Sequence, residues 1–236
     1  MQTDKRQALP PRHELKYFIN PAELALLRQR LRPAMALDPH CREGSPYAIR
    51  SLYFDDIYDN AWRDKLDGVQ NRDKYRIRIY NYQDNVIFLE RKRKLGDLIQ
   101  KSSVRITRRL ADQLAAGDPR GLDRAGAPLL NEMYVEMRTH LLKPVVLVDY
   151  WREAYVHPAE NTRITFDTHL RTGLWNRDLF DPDATPVCPH DRNVEVLEVK
   201  FDRALPEHIG GLLCGLSAER CAISKYILCR RYEPLN

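Results

Sequence analysis

The sequence predicts an α+β fold, an antiparallel sheet or barrel with helices packed outside it, on three observations. Eight short segments rich in β-branched and aromatic residues, each bounded by turn residues, read as strands. Only a few intervals carry apolar residues at helical spacing. The strand segments follow one another with turns between them, and helices interrupt the series only two or three times.

Taken in order, residues 13–19 form the first strand. Asn20, Pro21 and Glu23 then supply an N-cap, a first-turn proline and a first-turn acid. Leu24, Leu27 and Leu31 continue at helical spacing and Pro33 closes a helix over 21–31. Strands follow at 49–55, 74–80, 86–94 and 102–107. Gly, Asp and Pro punctuate 111–126 as a loop with a single helical turn. A second helix runs from Pro128 to about Leu142, with Leu130, Met133, Tyr134, Met137 and Leu141 as its apolar stripe. Strands at 145–155, 162–168 and 194–202 enclose an acidic, Pro-rich loop at 178–191, and Pro206 opens a last helix containing Ile209, Leu212 and Leu213. There is no internal repeat and no low-complexity linker, so residues 12–236 read as one domain behind a flexible leader at 1–11.

Composition narrows the class. Of 236 residues, 43% are hydrophobic and 30% charged, as in a soluble globular protein. The longest apolar run, 145–148, is far short of the ~20 residues that cross a bilayer. Residues 1–11 carry charge with no apolar stretch behind it, unlike a secretory signal, so a cytoplasmic location is expected. The five cysteines form no C-x-x-C pair and read as free structural thiols; Cys188 and His190 lack a second half-site for zinc. A net charge of +5 is too mild to name a partner. Its distribution says more, because basic residues crowd into 72–78, 91–94 and 101–109.

Side chains alternate between the two faces of a strand, so each strand divides into two sets. Tyr75, Ile77 and Ile79 oppose Arg76 and Arg78. Ile87 and Leu89 oppose Glu90 and Lys92; Ile164 and Phe166 oppose Arg163 and Asp167; Leu197, Val199 and Phe201 oppose Glu198 and Lys200; Leu15 and Tyr17 oppose Glu14 and Lys16. Arg152 shares a face with Tyr150. An ordinary half-exposed sheet explains any one strand, but its polar face would mix in Thr, Ser and Gln. If the sheet closes on itself, Lys16, Arg76, Arg78, Lys92, Arg152, Arg163 and Lys200 meet Glu14, Glu90 and Glu198 in a shared lumen. Enclosing so many cations is costly unless a phosphate-rich polyanion and a metal share the space. Replacing Arg76 and Arg78 is then expected to leave stability unchanged or raised. Nucleic acid is not expected as a partner, because Tyr75 and Tyr80 fall on opposite faces and the basic residues alternate with aliphatics.

An ordered set of short motifs carries a resemblance: residues 12–17 (RHELKY), 51–55 (SLYFD), 65–68 (KLDG), 75–78 (YRIR), 88–94 (FLERKRK), 148–155 (VDYWREAY), 163–167 (RITFD), 197–200 (LEVK) and 224–226 (SKY). Together they resemble the VTC domain, the polyphosphate-polymerase branch of the triphosphate tunnel metalloenzymes, over about residues 12–232. The resemblance implies an eight-stranded antiparallel barrel around a tunnel. It also implies a divalent metal, Mn²⁺ or Mg²⁺, held by glutamate, and transfer of the terminal phosphoryl group of a nucleoside triphosphate such as ATP to polyphosphate. Carried onto matching positions, it gives Lys16, Arg76, Arg78, Lys92, Arg152, Lys200 and Lys225 as phosphate-binding residues. Arg76, Arg78 and Lys225 are the catalytic candidates, Ser224 a phosphate contact, and Glu198, with Glu90 and Glu14 as further candidates, the metal ligand. Where the triphosphatases carry E-x-E-x-K, this chain has Arg12, Glu14 and Lys16, which leans toward the polymerase branch.

Overall fold

The computed structural model describes residues 10–41, 44–124, 126–185, 187–189, 194–218 and 220–231. Most of the expected leader and His190 lie outside them. The strands are β1 (His13–Ile19), β2 (Ala36–Leu37), β3 (Tyr47–Asp55), β4 (Arg72–Tyr80), β5 (Gln83–Leu95), β6 (Leu98–Ile106), β7 (Lys143–His157), β8 (Thr162–Thr172) and β9 (Glu195–Phe201). They form one antiparallel sheet in the order β1-β9-β8-β7-β3-β4-β5-β6, with β2 added to β7. The helices are α1 (Pro21–Leu31), α2 (Asn60–Leu66), α3 (Arg108–Ala115), α4 (Pro128–Thr139), α5 (Glu207–Leu212) and α6 (Lys225–Arg230).

The alternation places the apolar sets under helices. Tyr75, Ile77, Ile79, Ile87 and Leu89 pack with Leu114 of α3 and Leu130, Met133 and Met137 of α4. Ile164, Phe166, Leu197 and Val199 pack with Leu24, Leu27 and Leu31 of α1 and Ile209 of α5. The start of α1 carries the expected reciprocal cap: Glu23 N–H donates to Asn20 Oδ1 at 2.9 Å and Asn20 N–H to Glu23 Oε2 at 3.0 Å.

Four expectations change. The sheet is not a closed barrel: β1 and β6 are joined only by a bridge between Arg12 and Ile99, with backbone hydrogen bonds of 3.0 and 2.9 Å. The free edge of β1 is taken instead by the C-terminal segment, where Arg220 bridges Tyr17 and Cys221 N–H donates to Lys16 O at 2.9 Å. The region read as a loop from 111 contains most of α3, whose N-cap Thr107 accepts from Leu110 N–H. The second long helix ends at Thr139, and Leu141, at φ 54°, is exposed rather than part of the stripe. Finally, α6 does not pack outside. Its Tyr226 stacks on Tyr53 at 5.4 Å and clusters with Tyr150, on the sheet face that also carries Arg152.

Candidate active site in the charged interior

β1 and β9 each carry Glu-x-Lys, and antiparallel pairing sets Glu14 opposite Lys200 and Lys16 opposite Glu198. The result is a patch of alternating charge. Lys16 Nζ lies 3.0 Å from Glu14 and 3.6 Å from Glu198; Lys200 Nζ contacts Glu198 and lies 3.7 Å from Glu14. Lys92 of β5, far along the strand order, donates to both oxygens of Glu14 at 2.6 and 2.9 Å. Side chains therefore meet across the interior even though the strands do not pair around it. Burial would raise the Glu14 and Glu198 carboxyls, but the three lysines hold both well below the ordinary carboxylate range. Burial, with Arg152 and Lys92 nearby, brings Lys200 down to about 7 despite both glutamates.

On β4 and β5, Arg76 faces Glu90 in register. Its Nε donates to Glu90 at 2.8 Å; Lys101 reaches the other oxygen at 3.0 Å and Arg78 stands 3.7 Å away. Arg76 also donates to Tyr53 Oη at 2.7 Å, and Arg78 to Ser51 Oγ and Tyr150 Oη at 3.1 Å each. On β7 and β8, Arg152 grips Asp167 with two bonds of 2.6 and 2.7 Å, and Lys225 of α6 adds a third at 2.6 Å. Against the effect of burial, these two cations bring Asp167 down to about 2. Ser224 caps α6 and accepts from Lys74 at 3.2 Å. The helix itself is anchored by Tyr226, which donates to Asp55, and by Arg230, 2.7 Å from Asp59.

Cations of these strands and of α6, with Glu14 and Glu198, line a cavity of about 540 Å³. It shares Glu14, Arg76, Arg78, Lys92, Ile99, Arg152 and Lys200 with a smaller one of about 150 Å³, so the two cavities adjoin. Lys16, Arg76, Arg78, Lys92, Arg152, Lys200, Ser224, Lys225, Glu14 and Glu198 all line the larger cavity. Arg163 does not; it lines the smaller one, 2.8 Å from Asp38 and donating to Tyr47 Oη at 3.2 Å. Glu90 lines neither, being 1% exposed behind Arg76 and Lys101. Strand alternation had placed Asp167 on the charged face without assigning it a role. Tyr53, Lys65, Arg72, Lys74 and Lys94 also line the larger cavity, and only alternation along β4 and β5 offered a signal for the last three.

Among the described residues no three His, Cys, Asp or Glu side chains gather into a metal site. Glu14 and Glu198 nevertheless fit a Mg²⁺- or Mn²⁺-type ion, which binds through one or two carboxylates and completes its shell with substrate phosphate. Thr165, directly opposite Glu198 on β8, has a buried hydroxyl with no partner, a spare oxygen donor beside that carboxylate.

Lys74 supports a prediction about pH. Burial, together with Arg72, Lys16 of β1, Lys65 of α2 and Lys92 of β5, pushes its amine well below the ordinary lysine range; the Tyr226 ring of α6 lies 4.6 Å away. A bound anion restores the charged form. Triphosphate binding at alkaline pH, still below the ordinary lysine range, is therefore expected to take up protons, seen as a buffer-dependent enthalpy in calorimetry, and Lys74→Gln to reduce that uptake. In the free protein the depressed amine costs stability as pH falls below the unfolded value of about 10.4, because only the unfolded chain protonates freely.

All five cysteines are free, as expected. Cys214 is exposed, away from the cavity lining, and Cys214→Ser is expected to leave any activity intact. His13 stacks on Phe201 at 5.2 Å, outside the charged set. No helix among the described residues is long and apolar enough to cross a membrane.

Residues 11–232 match the VTC domain. The chain belongs to the VTC family. A search of curated proteins finds no match. Among solved structures, this VTC domain is similar to the PH1819 protein of Pyrococcus horikoshii, with 15% identity, 92% of this chain and 97% of that chain covered, and a TM-score of 0.47. The PH1012 protein of the same organism gives 11% identity, 86% and 85% coverage, and a TM-score of 0.42. The Mediator head module of Schizosaccharomyces pombe gives 6%, 86%, 89% and 0.45. Family membership agrees with the resemblance in the motifs and places the chain in the triphosphate-tunnel superfamily.

Proposed function

We propose that this VTC domain is a polyphosphate polymerase, transferring the terminal phosphoryl group of a nucleoside triphosphate, ATP being the expected one, to a growing polyphosphate chain inside the charged interior. The observation that carries the reading is the pair of adjoining cavities, with Arg76, Arg78, Lys92, Arg152 and Lys200 common to both. A cation-lined interior that continues from one cavity into the next suits a polymer that must advance. In this reading the curled sheet, stapled at Arg12 and Ile99, acts as a tunnel, and Arg12 adds a cation at the smaller cavity.

Phosphoryl transfer asks the protein chiefly for alignment and charge stabilisation. Arg76 and Arg78, two apart on one face, can present planar donor forks to adjacent phosphates, and Arg152 of β7, on the other side of β3, and Lys225 of α6 add two more cations to the same cavity. Each is now held by a carboxylate, so substrate phosphates exchange for Glu90 and Asp167 rather than entering an uncompensated cage. A divalent ion on Glu14 and Glu198 would supply neutralisation of the phosphate oxygens when bound. Lys16, Lys92 and Lys200 would then turn from these glutamates to phosphate. Ser224 Oγ and the ammonium of Lys74, bonded to each other, offer one hydroxyl and one cation to the same phosphate.

Incubation with labelled ATP and Mn²⁺ tests the assignment. A polymerase gives ADP with a ladder of polyphosphate on a gel; free phosphate in step with ATP consumed would assign a triphosphatase instead, and neither product a binding module.

A further inference from the structure

The cations of the larger cavity divide into two groups by their partners. Lys16, Arg76, Arg78, Lys92, Arg152, Lys200 and Lys225 each lie within ion-pair distance of Glu14, Glu90, Glu198 or Asp167. Lys65, Arg72, Lys74 and Lys94 make no ion pair among the described residues. They come from α2, β4 and β5, and all line the larger cavity and not the smaller. Arg72 and Lys94 spend donors on the backbone carbonyls of Val69 and Gly96, and Lys74 donates to the Ser224 hydroxyl, all neutral acceptors. Asp97 shares this end of the cavity without reaching any of the four.

We propose that Lys65, Arg72, Lys74 and Lys94 form a docking site for the phosphate groups of an oligophosphate, at the end of the larger cavity away from the smaller one, and that it holds its ligand without a divalent metal. The proposal rests on the phosphate-binding reading of the interior and adds a second stage to it. In the paired interior an incoming phosphate must displace a carboxylate, and Glu14 and Glu198 repel it until a cation covers them. At the docking site no carboxylate lies within ion-pair distance; Asp64 attracts Arg72 only from farther off, so no bonded carboxylate has to be displaced. The four cations repel one another in the free protein, and burial with mutual repulsion brings the Lys65 and Lys74 amines below the ordinary range. An anion relieves that repulsion. The Lys65-Leu66-Asp67-Gly68 motif, to which the catalytic reading gives no role, thereby acquires one: α2 carries Lys65 to the rim. Tyr226, the ring beside Lys74, already has that ammonium over its face at 4.6 Å, so the site should read phosphate and ignore a nucleoside.

Calorimetry on the full chain with inorganic tripolyphosphate and with ATP, each in EDTA and in Mn²⁺, separates the stages. Wild type is expected to bind both ligands in EDTA with affinities within about threefold of each other, as expected for donors that contact only phosphate. The triple variant Lys65→Gln, Arg72→Gln, Lys94→Gln should lose about tenfold or more in EDTA, from the loss of three charge-assisted contacts. Its melting temperature should hold or rise, since like charges are removed. A variant of the paired interior, Arg76→Ala with Arg78→Ala and Glu90→Gln, should keep EDTA binding and lose the gain that Mn²⁺ brings. Lys65→Gln alone, on the partly exposed α2, gives the same direction if the triple variant fails to fold. Unchanged EDTA affinity in the triple variant, or no wild-type binding without metal, would overturn the docking site while leaving metal-dependent binding in the interior intact. Absence of binding in Mn²⁺ as well would overturn both.

Discussion

Replacing Arg76 and Arg78 together with alanine is expected to abolish the metal-dependent binding of triphosphate in the interior and also to lower the melting temperature. The first effect follows from two desolvated guanidinium groups, each worth about 2–5 kcal/mol to a bound anion, so the gain in affinity that Mn²⁺ brings, up to about 1,000-fold, is lost. The second reverses the sequence expectation that fewer lumen charges would relieve repulsion. Both arginines face Glu90, which is 1% exposed, and their removal leaves that carboxylate buried with Lys101 alone. Breaking a buried pair costs about 3–5 kcal/mol, on the order of 10 °C for a domain of this size. Adding Glu90→Gln should restore most of the melting temperature and none of the metal-dependent binding. Unchanged triphosphate affinity of the double variant in Mn²⁺ would remove these arginines from the site.

Glu198→Gln is expected to collapse turnover while leaving phosphate binding intact or stronger. The substitution keeps the size and one oxygen acceptor but removes the charge beside Lys200 and Lys16, freeing both lysines for phosphate. If Glu198 helps hold the metal, half-saturating Mn²⁺ rises about tenfold or more. The maximal rate then falls on the order of 100-fold, because a metal contributes several kcal/mol of charge stabilisation in the transition state. If Glu198 only balances Lys200, the variant changes stability while the rate against Mn²⁺ keeps its midpoint. Glu14 would then be the first alternative, since it shares Lys16 and Lys200 with Glu198, whereas Glu90 is enclosed by Arg76 and Lys101.

The interior was legible in sequence because a strand converts residue parity directly into a face. Glu14 and Lys16, Arg76 and Arg78, Glu90 and Lys92, and Glu198 and Lys200 could each be assigned to the charged side before any contact was known. Parity gives no pairing across the interior. It could not show that Lys92 crosses to Glu14, that Arg152 and Lys225 share Asp167, or that Asp38 draws Arg163 to the smaller cavity. Neither α2 nor α6 was foreseen, because helices of seven and six residues are too short to show a period. α6 is fixed by tertiary contacts, Tyr226 to Asp55 and Arg230 to Asp59, whose partners lie far away in sequence. The barrel expectation failed at one edge for a similar reason: the segment at Arg220 and Cys221 competes for β1, and residue pattern alone does not reveal that competition.

The proposed function requires phosphate to replace carboxylate as the partner of the interior cations. A crystal structure of the chain with inorganic tripolyphosphate tests it most directly. The expected result is phosphate oxygens within hydrogen-bond distance of Arg76, Arg78 and Arg152, with Glu90 and Asp167 released from at least one of their present bonds. Tripolyphosphate found only on the outer surface, with the Arg76–Glu90 and Arg152–Asp167 pairs unchanged, would contradict it.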